Sequence, residues 1–425
     1  MGSRIKFVCL LGLAVATSSP ALPLRHINVQ QLELLLADDH GQSDGKVADQ
    51  ISSWQLTERL SAPRLARLEA EFPGRRCHDA LTQLADEAAF LDLPDADLLS
   101  TPPPDIKTQV DIANRAVAFV NQTFTRLPNF YATRTTAHFE DTPPRQSFTQ
   151  GAPSPGIRSG RGGGTVSGGI LTTNSQVSSY VPLHFTGKAT DTISYHEGYE
   201  LVNSKPVDVA GRSRSSFGLT TAGEFGPILD LVLGDAIKGK LSFSYWQQDP
   251  VSKSPAAPGL GLDPNGIQAV FRYSVPAGQS SYLVAIPTTN QQTIRVFPAY
   301  SGEIAIDPAS GDILRITVVA NLAPPYERMS TAILVEYGPV QIGGTTYICP
   351  VQGVAVSKTP LDYGTGVTDS VAPAQNQMND VSITNYHLFR SESRIIPVEA
   401  DNSTDQSPAQ PADQPTAPPT APAPK

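Results

Sequence analysis

The sequence predicts an α+β protein: a small N-terminal helical bundle, then a curved antiparallel β-sheet, half-barrel-like, with one or two packed helices. Three observations predict it. Apolar residues recur at helical spacing over residues 27–95, and from Asn129 onward the period drops to two. Strand candidates then return about every ten to twelve residues, the rhythm of an antiparallel meander. Gly (33) and Pro (38) are enriched in the 425-residue chain, which excludes a helical bundle or helical solenoid for the whole. Apolar content of 40% and charged content of 17% are globular values, and the length predicts two to three folded units.

Residues 1–21 read as a secretory signal peptide. Arg4 and Lys6 form a basic start, Phe7–Ala16 an apolar run too short to span a bilayer, and Ser19-Pro20-Ala21 a small-residue cleavage site. The expected location is therefore exported, periplasmic or extracellular. Cys9 would leave with the leader, so the mature chain keeps Cys77 and Cys349, expected as two partly buried free thiols.

Residues 22–100 read as a helical domain of four short helices. Leu32, Leu35 and Leu36 share one face; Val47, Ile51, Trp54 and Leu56 continue it; Leu65, Leu68 and Phe72 follow, then Leu81, Leu84 and Ala88. Asp44 and Ser61 are candidate N-caps, and Gly74 after Pro73 ends a helix. Arg64, Arg67, Glu69 and Glu71 alternate as a solvated face does. Residues 101–128 are a linker, stiffened by Thr101-Pro102-Pro103-Pro104, and a helix over Ile106–Phe124 with Val110, Ala113, Val117 and Val120 on one side.

Residues 129–397 read as the antiparallel β domain. Alternation is clear around Leu241, Phe243 and Tyr245, around Phe271, Tyr273 and Val275, over Ile313–Val319 and over Ile333–Tyr337. Gly343-Gly344 marks a two-residue hairpin before Thr345–Cys349. Ala222–Phe225 opens a helical run, Ile228–Leu233, that stops at Gly234. Residues 151–169 read as a flexible Gly-rich loop, and 398–425 as a disordered Pro/Ala-rich tail.

Few motifs carry chemistry. Formal net charge is −9 with no stripe of Lys and Arg, so no nucleic-acid partner is expected. The Gly-rich loop lacks P-loop and dinucleotide-binding spacing, and no Gly-x-Ser-x-Gly elbow occurs. His196-Glu197-Gly198-Tyr199-Glu200 has Glu200 where a zinc-protease helix needs its second His, and its neighbours place it on a strand or hairpin. Asp307–Asp312 reads as a β-turn, not a calcium loop. Asn121-Gln122-Thr123 and Asn402-Ser403-Thr404 match a glycan acceptor pattern. No metal, cofactor or catalytic residue is expected. The remaining candidates are aromatic: Phe243, Tyr245, Phe271, Tyr273 and Tyr282, with Phe297 and Tyr300, lie on strand-like segments. They read first as core; the alternative is that part of the set lines an open apolar face that binds a ligand.

Several segments together resemble a group of exported bacterial proteins with an N-terminal helical domain and a β-rich domain. They are Thr57–Ser61 with Leu65–Leu68, Leu127–Phe130 with Thr133–Thr136, Gly223–Gly226, Tyr300–Arg315, Glu336–Gly344 and Asn385–Phe389. The strand-turn pattern of 294–320 also resembles the LolA-like lipoprotein carriers and the related sensor RseB. That resemblance implies a curved sheet partly wrapped around a helix, with an apolar inner face for acyl chains; it assigns no ligand residue here. The expectation is an exported non-enzymatic protein holding a lipid or acylated protein, with peripheral membrane contact. The alternative is a structural or protein-interaction module of the cell envelope. A hydrolase would need a pair of carboxylates facing a cleft.

Overall fold

The N-terminal segment builds its core from the apolar stripes read in the sequence. In the computed structural model the described residues are 25–39, 41–143, 146–148, 175–177, 180–196, 199–203, 205–206, 227–236, 238–249, 262–263, 265–287, 293–360 and 374–389. The expected leader, the Gly-rich loop, Ala222–Phe225 and the Pro/Ala-rich tail lie outside them. Strand β1 (Arg25–Ile27) leads into α1 (Val29–Asp38) and α2 (Asp44–Ile51); β2 (Trp54–Leu56) leads into α3 (Ala62–Glu71) and α4 (Arg75–Glu87). Four helices were expected. The parallel β1–β2 pair was not, because three-residue strands carry too little alternation to register. Leu32, Leu36, Ile51, Trp54, Leu68, Leu81 and Leu84 bury together against these strands.

Capping differs in detail from the expectation. Asn28 and Gln31 form a reciprocal capping box on α1. Ser43, not Asp44, is the N-cap of α2, and α3 ends at Phe72, so Gly74 caps the start of α4. Asp44 works across the bundle instead: its carboxylate accepts the Arg76 N–H at 3.1 Å and the Cys77 N–H at 2.9 Å, at the electropositive end of α4. A β-carbon on Gly74 would sit 2.0 Å from Asp44 Oδ1, so only glycine admits this approach.

After a short turn at Asp95–Asp97, the proline linker runs beside the sheet, where Pro102 O accepts the Trp246 indole N–H at 3.1 Å. Helix α5 (Ile106–Arg126) follows. Its buried face is Ile112, Ala116 and Val120, four residues apart, while Val110 is exposed. The true stripe is thus rotated from the expected one.

The strands are β3 (Phe130–Thr142), β4 (Gln146–Phe148), β5 (Ser175–Val177), β6 (Val181–His196), β7 (Tyr199–Val202) and β8 (Lys205–Pro206). Helix α6 (Pro227–Ala236) comes next, running two residues past Gly234. Then come β9 (Lys240–Gln248), β10 (Ile267–Val275), β11 (Val284–Pro287), β12 (Thr293–Val296), β13 (Tyr300–Ile306) and β14 (Ile313–Asn321). Strands β15 (Ser330–Ile342), β16 (Thr345–Pro360) and β17 (Ala374–Leu388) complete the order. The main sheet runs β8-β7-β6-β3-β17-β16-β15-β14-β13-β10-β9, antiparallel, curved and open at both edges; β4–β5 and β11–β12 are separate pairs. Between β8 and β9 the chain passes from one edge to the other, and from β13 to β17 it meanders back until β17 pairs with β3. Gly343 and Gly344, with φ of +62° and +88°, make the expected two-residue turn between β15 and β16.

Helices α5 and α6 cover one face of the sheet, burying Ile112, Ala116, Leu229 and Val232 against Phe271, Ile304, Ile316 and Val335. The N-terminal helical unit covers part of the opposite face, where Ala89 and Phe90 meet Leu334, Val354 and Met378.

Candidate functional site

The five aromatics singled out in the sequence divide between the two faces. Phe271 and Tyr273 are 2% and 3% exposed, in the core under α5 and α6; Phe243 and Tyr282 pack half-buried against it. Phe243 meets Phe271 edge-on with ring centroids 5.7 Å apart, and Tyr282 lies 5.5 Å from Tyr300. Tyr245 points the other way. Phe243 pairs with Phe271 but Tyr245 pairs with Val270, so Ser244 is an extra residue, and this bulge reverses the facing of all that follows it on β9. Trp246 takes the place under the helices that strict alternation gave to Tyr245.

Tyr245 joins a charged seam between the helical unit and the sheet. The centre is Glu303 of β13. Its carboxylate accepts Arg59 at 3.0 Å, the Tyr245 hydroxyl at 2.9 Å and Arg272 at 3.2 Å, with the Arg315 guanidinium at 3.6 Å. Arg59 comes from the loop between β2 and α3; it also donates to Tyr245 at 2.9 Å and to Gln247 at 3.4 Å. Arg315, on β14, donates to Ala89 O at 3.1 Å, just beyond α4. Arg272 also pairs with Asp92 of the helical unit and lies over the Tyr245 ring. The side chains of Arg59, Arg315 and Glu303 are only 8%, 9% and 15% exposed. Burial works against the Glu303 charge, but Arg59 and Arg315 outweigh it and hold the carboxyl below its ordinary range. Burial, reinforced by Arg59, lowers Arg315 to about 10.

Along the same face lies a group of carboxyls with few cations. Asp86, in the last turn of α4, is 6% exposed; its Oδ1 accepts Gln352 at 3.5 Å and its Oδ2 has no hydrogen-bond partner. Burial, with Asp380 of β17 and Glu336 of β15 facing it, pushes Asp86 well up. Burial also raises Asp380, Glu336 and Asp249. Glu87 accepts Gln55 at 3.0 Å and lines a cavity of about 10 Å³, shared with Gln83, Trp54, Tyr180 and Leu183, room for about one water. Burial pushes Glu87 up to about 7.

The other sequence candidates take structural parts. His196 and Tyr199 are register partners at the end of the β6–β7 ladder, outside helical ligand geometry. Asp307 closes the expected turn: its carboxylate accepts the Ala309 and Ser310 N–H groups, both at 2.9 Å. Gly311, at φ +85°, lets that turn approach Arg115 of α5. Cys77 and Cys349 are buried, free and in separate cores. Among the described residues no cluster of His, Cys, Asp or Glu is placed to hold a metal, and no helix is long and apolar enough to cross a membrane.

The sequence reading missed Glu303, Arg315 and Asp86. A signal existed for two of them: Arg315 interrupts the run Ile313-Leu314-Arg315-Ile316, and Glu303 sits inside an apolar strand. A charged residue at a position buried on both sides implies a partner of opposite charge. The seam holds groups that neutralise one another and carboxyls that burial makes bind protons more tightly, so it is suited to joining two pieces of the protein. No protein-family model, curated protein or solved structure matches the chain.

Proposed function

We propose that this is an exported, non-enzymatic protein-interaction module of the cell envelope. The observation that carries the reading is the filling of the sheet's apolar face by the chain's own helices: Phe271 and Tyr273 lie under α5 and α6. A set of buried ionisable groups supports it too, because Arg59, Glu303, Arg315 and Asp86 gather beneath the helical unit. In this reading the solvated face of the helical unit, with Arg67, Glu71, Arg75 and Asp79, meets the partner.

A second reading has support from one observation. Helix α6, with Ile228, Leu229, Val232 and Leu233 directed at the aromatic core, is short, and Phe243 and Tyr282 remain half-buried beside that core. A lifted α6 would bare an apolar surface to an acyl chain. The test is lipid extraction and mass spectrometry of the purified full chain, with titration of a fluorescent fatty acid. No bound lipid and no saturable binding are expected. A stoichiometric acyl chain, or binding lost on Val232→Asp, would overturn the first reading in favour of the second.

A further inference from the structure

Helix α4 ends on two adjacent acids, Asp86 and Glu87, with no basic residue in its last turn. That is the end at which the helix dipole disfavours negative charge. Both acids turn inward, at the junction with the sheet. Around Asp86 stand Glu336 from β15, Asp380 from β17 and Gln352 from β16. The cations within reach serve other groups: Arg315 of β14 is engaged by Glu303, with Arg59 beside it, and Lys188 of β6 faces Asp380. Asp249, after β9, adds one more carboxyl beside Glu336. Around Glu87 stand Gln55 from β2, Asp141 from β3 and Tyr180, which itself donates to Asp141 at 3.4 Å. Two extra negative charges placed here would be buried against like charges with one amide donor each.

We infer that the C-terminal end of α4 is a proton-operated latch: the helical unit is docked on the sheet while Asp86 and Glu87 carry protons, and it loosens when they ionise. As carboxylic acids, each can donate a hydrogen bond and neither adds charge; as carboxylates, they repel Glu336, Asp380 and Asp141. The sign follows from burial. Both groups bind protons more tightly in the docked state than in water, and Glu87 does so up to about 7. Docking is therefore strongest near the ordinary carboxylate range and weakens as pH rises through neutrality.

The test is hydrogen exchange of the full chain between about pH 5 and 8.5, corrected for the intrinsic rate. The opening constant is read at 75–87 (α4) and 374–388 (β17), with 267–275 (β10) as reference. The α4 opening constant is expected to rise about tenfold per pH unit for each proton released, with β10 unchanged. Asp86→Asn and Glu87→Gln, neutral and nearly isosteric, each remove part of the slope, and the double variant leaves only the shallower part that Asp380 and Glu336 supply. Asp380→Asn, which removes the facing charge, lets Asp86 ionise at lower pH in the docked state, so the transition moves to lower pH with a smaller total rise, and it covers the case in which the double variant does not fold. A wild-type profile that is flat at α4 overturns the latch. So does a double variant that keeps the wild-type slope, or an Asp380→Asn transition that does not move.

Discussion

Replacing Glu303 by Gln should detach the helical unit from the sheet energetically while leaving the shape of the seam intact. The glutamate receives one strong hydrogen bond from Tyr245 at 2.9 Å and ion pairs from Arg59 at 3.0 Å and Arg315 at 3.6 Å. The Arg272 pair, at 3.2 Å, is half exposed and screened, and contributes under about 1 kcal/mol. The other three are buried. Removing the carboxylate that both contact leaves Arg59 and Arg315 facing each other, with Glu336 and Asp249 the remaining acids nearby, and breaking such a pair costs about 3–5 kcal/mol. A loss of about 4 kcal/mol reduces the folded-to-unfolded ratio on the order of a thousandfold. Urea unfolding followed by far-UV circular dichroism and by the fluorescence of Trp54 and Trp246 measures it. Arg59→Met alone should cost less, because Glu303 keeps Arg315 and Arg272, and the double variant should show a coupling of about 1–3 kcal/mol. The pH dependence has a fixed sign. Glu303 is held below its ordinary value, so its contribution is present above the unfolded carboxylate range and is lost as pH falls through the folded value. Glu303→Gln should flatten that acid limb. A cost under about 1 kcal/mol, or a coupling of zero, would refute the clamp.

The bulge at Ser244 predicts unequal costs for two neighbouring aromatics. Phe271→Ala should lose about 3–5 kcal/mol by emptying the core under α6, and Tyr245→Phe about 1–2 kcal/mol by removing one hydrogen bond to a charged group; equal costs in urea unfolding would contradict the assignment of faces. Gly311→Ala forces a β-carbon to within 2.5 Å of Arg115 at a positive φ, and should lower the thermal midpoint by about 1–3 kcal/mol in equivalent stability, whereas Gly344→Ala, also at positive φ but with open space around it, pays the backbone strain alone and loses less. Burial pushes the Cys77 thiol up to about 11 and the Cys349 thiol up as well, so neither should react with iodoacetamide at neutral pH in the folded protein; both should react in denaturant without reductant, and a mass showing a disulfide would overturn the free-thiol state.

How much of this was legible depends on the range of the interaction. Local signals were read well: the four short helices, the hairpin at Gly343-Gly344 and the Asp307 turn depend on neighbours within a few residues. The facing of Tyr245 was not legible, since a one-residue bulge leaves the alternation of Leu241, Phe243 and Tyr245 unbroken in the sequence and broken in space. Asp44 was misplaced as a local cap for a similar reason: its carboxylate caps a helix that begins some thirty residues later. The seam was least legible, because its partners lie far apart in the chain. Arg59 and Glu303 are 244 residues apart, and Arg315 meets the Ala89 carbonyl across 226.

That separation also bears on how the protein comes together. The change of period near residue 129 marks where helices give way to strands, but the most buried ion pair of the helical unit, Arg59–Glu303, is with a strand made much later. Strand β3 likewise obtains one of its two neighbours only when β17, at the end of the described chain, has formed. Closing loops of this length costs entropy before any contact repays it, and topologies dominated by such contacts fold slowly. Until β13 and β14 are in place, Arg59 has no carboxylate to meet, and Asp86 and Glu87 remain ionised in water. Docking therefore requires that Glu303 arrive and that two protons be taken up, so the helical unit should be the last piece to lock onto the sheet and the first to leave it.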